Sequence, residues 1–332
     1  MPPRHTQQNK NKDVLNNASQ EEVSIRKLHE LFIKYKFHGA RDSKATIKNY
    51  RHNFSLLMSF KPSLVLMDLT EETMIHFFEF LNTRKRKVGN EMVVREYRNS
   101  SMATLRSKLN GFFNWLVERN YLELNPFSGI PYPEVSYTDN RAFSPKEFEA
   151  ICLAVNIKIQ WANLLIKKRN IAVIMFLFFT GVRKEELIGL KLSDIDLDRK
   201  LITIRAETSK SKRSRIIPMN TSLHSYLEDY LFYRKDYHSN ALWVSSTLDR
   251  CFTEHGAKHL IDHLSKTSRV NCHLHRFRHT FATNYYMKTH DIVGLQKLMG
   301  HRSLKMTLSY LRSIPDEHIV EQIRKLSFAE FI

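Results

Sequence analysis

The sequence predicts a mainly α-helical protein of two domains, the second of which contains a small β-hairpin or sheet. Three observations support this fold class. The chain of 332 residues is long enough for about two domains of typical size. Apolar residues recur at helical spacing along most of the chain, and only one stretch, near residue 210, places β-branched runs on both sides of a turn. A segment with three prolines, NPFSGIPYPEVSYTDN, separates two blocks of different character.

The first block consists of a polar lead and a helical domain. Residues 1–22 are predicted to be disordered because they contain few apolar side chains. Residues 23–130 are predicted to be all-helical, since two apolar stripes recur at helical spacing. The stripes are Ile47, Tyr50, Phe54, Leu57 and Met58, and Leu105, Leu109, Phe112, Phe113, Leu116 and Val117. Residues 131–141 are predicted to be an extended linker.

The second block, residues 142–332, is predicted to be mostly helical. Its apolar segment IAVIMFLFFT is typical of a core helix, because it is too short to cross a membrane, which takes about 20 residues. Ile202–Ile204 and Ile216–Ile217 flank a basic, turn-like centre. This part of the chain is therefore predicted to form a hairpin with lysines at its tip.

The composition indicates a polyanionic partner. Lys and Arg number 52 against 34 Asp and Glu, which gives a formal charge of +18 and a pI near 9.7. Such a surplus favours nucleic acid over other partners. The first residues contain no apolar block that resembles a signal peptide, and no apolar run is long enough to predict a membrane span. Three sparse cysteines argue against a disulfide framework, so a reducing, cytoplasmic setting is expected.

Basic runs are predicted to contact the phosphate backbone of double-stranded DNA, although a solvated charged face is the alternative interpretation of such runs. The predicted DNA-binding residues are Arg84, Lys85, Arg86, Lys87, Arg98, Arg106 and Lys108 in the first block and Lys212, Arg213 and Arg215 in the second. Two domains joined by an extended linker could close around a duplex. The sequence thus predicts a C-shaped DNA clamp.

The segment HLHRFRHTFAT, residues 273–283, is unusually cationic for the start of a packed helix. His275 and Arg278 are three residues apart, which places them one above the other on a helix, where they could bind one phosphate. Further along, Gly300 is typical of the position just after a helix, so His301 is expected in the corner before the next helix. That next helix contains Tyr310, and a single helical tyrosine is more often a packing residue than a nucleophile.

With Arg183 in TGVRKEEL, Lys210 in TSKSKRSRIIP, and the motifs HRFRHTFAT and LMGH followed nine residues later by a tyrosine, the chain resembles the tyrosine recombinase (phage integrase) family. The resemblance covers the second block and, more loosely, the first, which is similar to the family's core-binding domain. It assigns catalytic positions to Arg183, Lys210, His275, Arg278, His301 and Tyr310, and a supporting position to Glu186. Lys212 is close enough to be an alternative to Lys210. Arg276 and Phe277 depart from the family's usual residues.

The chemistry of this residue set requires no cofactor. Attack on a phosphodiester builds negative charge, and one charge pair at about 4 Å contributes about 4 kcal/mol at an effective dielectric constant of about 20. Fixed arginines can therefore supply much of what a metal ion would give. A tyrosine titrates near pH 10, so forming its phenolate at neutral pH costs about 4 kcal/mol, which a nearby base or cation must offset. The covalent 3′-phosphotyrosine implied by the resemblance conserves bond energy, so ATP is not needed.

The resemblance implies a site-specific recombinase or integrase that binds DNA recombination sites as a dimer on one site and a tetramer in the synapse. The tail after Tyr310, with Ile319, Ile323 and Leu326 on one helical face, is expected to pack either on its own domain or on a neighbouring protomer. Two alternatives are a type IB topoisomerase and a non-catalytic DNA-binding protein with the same fold. A metal-dependent nuclease is a weaker rival, and its candidate zinc ligands would be His273, His275 and His279 with Cys272 beside them, or His255, His259 and His263.

Overall fold

The computed structural model describes residues 24–88, 91–94, 96–134, 142–245, 249–311 and 314. The chain divides into two compact units, Met1–Ser136 and Tyr137–Ile332, and each unit has its own hydrophobic core. The predicted disordered lead, most of the predicted linker and the predicted tail helix lie outside the described residues.

The first unit has a helical core. Its helices are α1 (Ile25–Lys34), α2 (Lys44–Phe60), α3 (Glu71–Thr83) and α4 (Asn99–Glu118). The side chains of Ser24, Ser43 and Thr70 accept backbone N–H groups of the first turns of α1, α2 and α3, which explains where these helices begin. The two apolar stripes predicted from the sequence lie on α2 and α4 and pack into one core.

The prediction that the first domain is all-helical was wrong in one place. Strands β1 (Lys85–Val88) and β2 (Glu91–Val94) form an antiparallel hairpin between α3 and α4, with Lys85 opposite Val94. The base of this hairpin is fixed because Asn82 accepts the backbone N–H of Tyr97 at 3.0 Å. The sequence pattern that indicates this hairpin is a Gly-Asn pair beside β-branched residues. It was not recognised, because the first strand consists mainly of cations.

The second unit is mostly helical with one small sheet, as predicted. Its helices are α5 (Pro145–Leu153), α6 (Leu164–Thr180), α7 (Lys184–Ile188), α8 (Thr221–Arg234), α9 (Glu254–Ser268), α10 (Leu274–Thr289), α11 (Ile292–Met299) and α12 (Leu304–Leu311). The predicted hairpin is confirmed as β4 (Leu201–Ile204) and β5 (Arg215–Pro218), with Ile202 opposite Ile217. A short strand, β3 (Ile195–Asp196), pairs with the other edge of β4.

Helix α6 is the centre of the second unit. It is apolar around most of its circumference, so it is buried by neighbours that include α8 and α10. It ends at Gly181, whose φ of +59° is a left-handed conformation that suits glycine. The turn at Gly181 brings Arg183 to the start of α7. Among the described helices, none has both the length and the apolar character needed to span a lipid bilayer.

Candidate active site

Arg278 lies at the centre of a buried polar cluster in the second unit. It is on α10, and its side chain is almost fully buried, at 1% exposure. Its guanidinium donates to the carbonyl of Gly181 at the end of α6 and, at 2.7 Å, to the carbonyl of Met299 at the end of α11. Three helices therefore fix its position. Burial, followed by the nearby charge of Arg183, lowers the pKa of Arg278 to about 10, so it remains cationic at neutral pH.

Tyr310 approaches this arginine from α12. Its hydroxyl lies 3.3 Å from Nε of Arg278 and 3.4 Å from Nε2 of His275. The ring packs against His279, with centroids 4.4 Å apart, and stacks on His301 at 5.2 Å. Tyr310 is buried, at 9% exposure, and the partners of its hydroxyl are a cation and an imidazole.

His301 occupies the predicted corner between α11 and α12. Gly300, with a φ of +62°, ends α11 and turns the chain, which confirms the prediction made for this glycine. The imidazole Nε2 lies 2.9 Å from Nη2 of Arg278, and Nδ1 lies 3.0 Å from the hydroxyl of Thr307. Burial lowers the pKa of His301 to about 3, and the charge of Arg278 adds to this effect, so the imidazole is neutral.

Glu186 is the buried acid of the cluster, and it binds two arginines. Arg215 donates to both carboxylate oxygens, at 2.9 and 2.7 Å, in a bidentate ion pair. Arg183 donates to it through the backbone N–H at 2.9 Å and through Nη1 at 3.2 Å. Burial alone would raise the pKa of Glu186, but the hydrogen bonds and charge of Arg215 and the backbone N–H of Arg183 lower it to about 2. Arg183 also donates to the Met299 carbonyl, at 3.3 Å, which Arg278 shares.

The structure thus brings Arg183, Glu186, His275, Arg278, His301 and Tyr310 into one connected network. Lys210 and Lys212 are exposed in the turn between β4 and β5, and the choice between them stays open. Between them, Ser211 has a buried side chain, and its carbonyl accepts a hydrogen bond from Arg302 at 3.0 Å.

Two of the predicted DNA-binding residues are corrected. Arg106 is buried at 7% exposure and donates to the carbonyls of Phe127, Ile130 and Pro131, so it stabilises its own unit. The basic residues near Arg106 in the sequence do not indicate this internal role, because the carbonyls that Arg106 binds belong to a distant segment of the chain. Arg215 is half-buried, with a side chain that is 8% exposed, and its charge is neutralised by Glu186.

The other predicted DNA-binding residues have varied surroundings. Lys85, Arg98 and Arg213 are exposed, as is Lys212. Arg84 donates to the hydroxyl of Tyr97 at 3.1 Å, and Lys108 lies over the ring of Tyr50 at 4.9 Å. The side chains of Arg86 and Lys87 lie outside the described residues.

Histidines considered as metal ligands have other contacts. His273 caps α10, accepting the backbone N–H of Arg276 at 3.1 Å, and His263 packs edge-on against Trp161. In the part of the chain that the structure describes, no group of three or more His, Cys, Asp or Glu side chains is arranged to hold a metal ion.

Three contacts near the site could not be found from the sequence. Arg276, a departure from the family pattern, donates to both oxygens of Glu147 at 2.7 Å and so ties α10 to α5. Thr307 contacts His301 through its hydroxyl, and Arg302 contacts the Ser211 carbonyl through its guanidinium. Threonine and arginine are common on protein surfaces, so their presence in the sequence does not indicate a site. Only the position of Thr307, three residues before Tyr310 on the same helix face, hinted at a role.

Comparison with known proteins shows the family of the chain. Residues 143–317, more than half of the chain, match the sequence model of the phage integrase family. The tyrosine recombinase XerC of Escherichia coli O127:H6 is 26% identical over 286 residues, covering 85% of this chain and 90% of the relative.

Solved structures show the same fold. XerH recombinase bound to a palindromic difH substrate matches with a TM-score of 0.64 at 20% identity, covering 97% of this chain and 89% of that one. The Tn1549 transposon integrase in complex with transposon right end DNA matches with a TM-score of 0.66 at 18% identity, covering 90% and 99%. The chain therefore belongs to the phage integrase family and is a tyrosine recombinase.

Proposed function

We propose that this protein recombines DNA at specific sites by cleaving and rejoining strands through a covalent 3′-phosphotyrosine at Tyr310, without a metal ion or ATP. The observation that carries this proposal is the placement of the Tyr310 hydroxyl within 3.3 Å of a buried arginine and 3.4 Å of His275. A packing tyrosine would have no need of a cation and an imidazole at its hydroxyl.

Arg183 and Arg278 are the proposed binding groups for the scissile phosphate. They share the carbonyl of Met299, so their guanidinium groups are held close together despite their like charge. Such a fixed pair of cations is matched to the charge that develops on the non-bridging oxygens during attack. Glu186 is proposed to support Arg183, since it holds both the backbone and the side chain of that arginine.

In the proposed step, the Tyr310 oxygen forms a bond to phosphorus as the bond to the leaving 5′ oxygen breaks. The phenolic proton passes to Nε2 of His275, and the leaving oxygen takes a proton from Lys210 or Lys212. In rejoining, a 5′ hydroxyl attacks the phosphotyrosine and the protons return. His275 is exposed and so is open to solvent for this exchange.

Double-stranded DNA is the proposed substrate and partner. XerH and the Tn1549 integrase are described as bound to DNA, and a lambda integrase is described as a dimer bound to a core site. By analogy we propose a dimer of this chain on one site and a tetramer in the synapse, with both units contacting the duplex. Lys85, Arg98 and Arg213 are exposed and are proposed to bind backbone phosphates. Three free thiols support the proposed cytoplasmic setting.

The test is a cleavage assay on a nicked duplex. After attack, the short fragment that carries the released 5′ hydroxyl dissociates, so rejoining is prevented and the intermediate is trapped. The duplex is first selected for binding from random-sequence DNA. The wild-type protein is expected to form an adduct that survives denaturation, with or without EDTA. Tyr310→Phe should bind DNA equally well and form no adduct, while the control Tyr286→Phe, on α10, should behave as wild type. An adduct with Tyr310→Phe, or one abolished by EDTA, would contradict the proposal.

A further inference from the structure

The imidazole of His301 has a defined hydrogen on one nitrogen. Its Nε2 lies 2.9 Å from Nη2 of Arg278, and a guanidinium has only donors. Nε2 must therefore be the accepting nitrogen, which leaves the hydrogen of the neutral ring on Nδ1. Thr307, itself fully buried at 0% exposure, lies 3.0 Å from Nδ1 and accepts that hydrogen through its hydroxyl oxygen.

This tautomer is unsuited to a bound phosphate. A non-bridging phosphate oxygen placed beside Arg278 accepts hydrogen bonds, so an unprotonated Nε2 facing it would repel it. A neutral imidazole can donate a hydrogen bond to such an oxygen only if its hydrogen moves to Nε2. Nδ1 then becomes an acceptor and needs a hydrogen-bond donor. A threonine hydroxyl is one of the few side-chain groups that can either accept from Nδ1–H or donate to a bare Nδ1.

We propose that Thr307 is a positioning residue whose hydroxyl reverses its hydrogen bond to His301 when DNA binds, so that Nε2–H of His301 then points at the scissile phosphate. The inference rests on the proposed function. The reversal is balanced, because one proton leaves Nδ1 and one arrives at Nε2, so the ring is neutral before and after the exchange. Burial and the charges of Arg278, Arg183 and Arg215 oppose a second proton on this ring, and the charge of Glu186 offsets them only in part.

The same contact connects His301 to the nucleophile. Thr307 and Tyr310 are both on α12, three residues apart, and His301 stacks on the tyrosine ring. A displacement of α12 that moves the tyrosine hydroxyl would therefore also change the Nδ1 contact. Thr307 thus ties the orientation of a phosphate-facing donor to the position of the attacking group.

The direct test is the nitrogen chemical shifts of His301 in the full-length protein labelled with 15N-histidine, with His301→Gln used for assignment. Free protein should show the hydrogen on Nδ1. Tyr310→Phe bound to a duplex selected from random-sequence DNA should show it on Nε2. A hydrogen already on Nε2 in the free protein, or both nitrogens protonated on DNA, would overturn the inference.

Kinetics provide a second test with a matched pair of variants. Thr307→Val keeps the shape but loses the hydroxyl, and we expect single-turnover cleavage to slow about 10- to 100-fold while the DNA dissociation constant changes less than about threefold. Thr307→Ser keeps the hydroxyl and should cleave within about threefold of wild type. Equal rates for the two variants would refute the role of Thr307. Absence of any adduct in the wild-type protein would instead refute the proposed function, and the nitrogen shifts of the free protein would still test the tautomer.

Discussion

Replacing Glu186 by glutamine should destabilise the second unit strongly, because the carboxylate neutralises two arginines whose side chains are largely removed from solvent. Glu186 is 1% exposed and receives two hydrogen bonds from Arg215, whose side chain is only 8% exposed. An amide of the same shape carries no charge and turns N–H groups toward a guanidinium. Removing one partner of a buried ion pair in this way costs about 3–5 kcal/mol.

The lowered pKa of Glu186 predicts an effect of similar size through the pH dependence of stability. The pKa of Glu186 falls from an ordinary 4.5 to about 2 in the folded protein. At about 1.4 kcal/mol for each pH unit, the ionised form contributes about 3 kcal/mol to the free energy of unfolding. Because the folded pKa is the lower one, this contribution is complete above pH 4.5 and is lost as the pH falls toward about 2.

The assay is urea unfolding of the full chain, followed by tryptophan fluorescence, for Glu186→Gln and for the control Glu185→Gln. Glu185 is the adjacent residue of α7, and its side chain is 67% exposed, so its replacement should change the free energy of unfolding by less than about 0.5 kcal/mol. Glu186→Gln should also show a flatter loss of stability below pH 4.5 than the wild type. If Glu186→Gln lowers the free energy of unfolding no more than Glu185→Gln does, the ion pair between Glu186 and Arg215 does not stabilise the second unit.

Three further results are expected. Arg106→Ala should lower stability yet leave the salt dependence of DNA binding unchanged. Lys85→Ala should reduce the slope of the logarithm of the DNA-binding constant against the logarithm of salt concentration by about 0.9. The reverse pattern would show that Arg106 contacts DNA. Gly300→Ala should destabilise by about 1–3 kcal/mol, since its φ is +62° and the new Cβ would lie 2.9 Å from an arginine nitrogen. Gly111→Ala, inside α4, should be neutral or stabilising in thermal unfolding, because its new Cβ would make ordinary van der Waals contact with the Tyr50 side chain, at 3.4 Å or more. Cys272, whose pKa burial raises to about 11, should react with a thiol reagent at pH 8 only after unfolding, and rapid labelling of the native protein would contradict its burial.

The fold could be predicted where a local pattern determines it. Apolar stripes on α2 and α4, the uniformly apolar α6 and the β-branched runs of β4 and β5 all follow from side-chain periodicity, which depends only on the chain itself. The hairpin of β1 and β2 was missed, because its first strand is a run of cations that suggested exposure and not strand pairing.

The members of the candidate site could be identified from motifs, but their connections could not. Periodicity brings His275 and Arg278 to neighbouring positions on one helix face, yet nothing in the sequence says that Arg278 binds a carbonyl 97 positions away. For the same reason, Arg106 and Arg215 were predicted to bind DNA. Whether an arginine binds a DNA phosphate or an acceptor inside the protein depends on tertiary packing. Composition contains no information about that packing.

The central claim is that Tyr310 itself becomes covalently joined to DNA in the cluster around Arg278. The most direct measurement is proteolysis of the trapped adduct, followed by mass spectrometry of the peptide that carries the nucleotide. We expect a single modified peptide from α12, with the 3′ phosphate on Tyr310. Attachment at any other side chain, or recovery of cleaved DNA with no attached peptide, would contradict it.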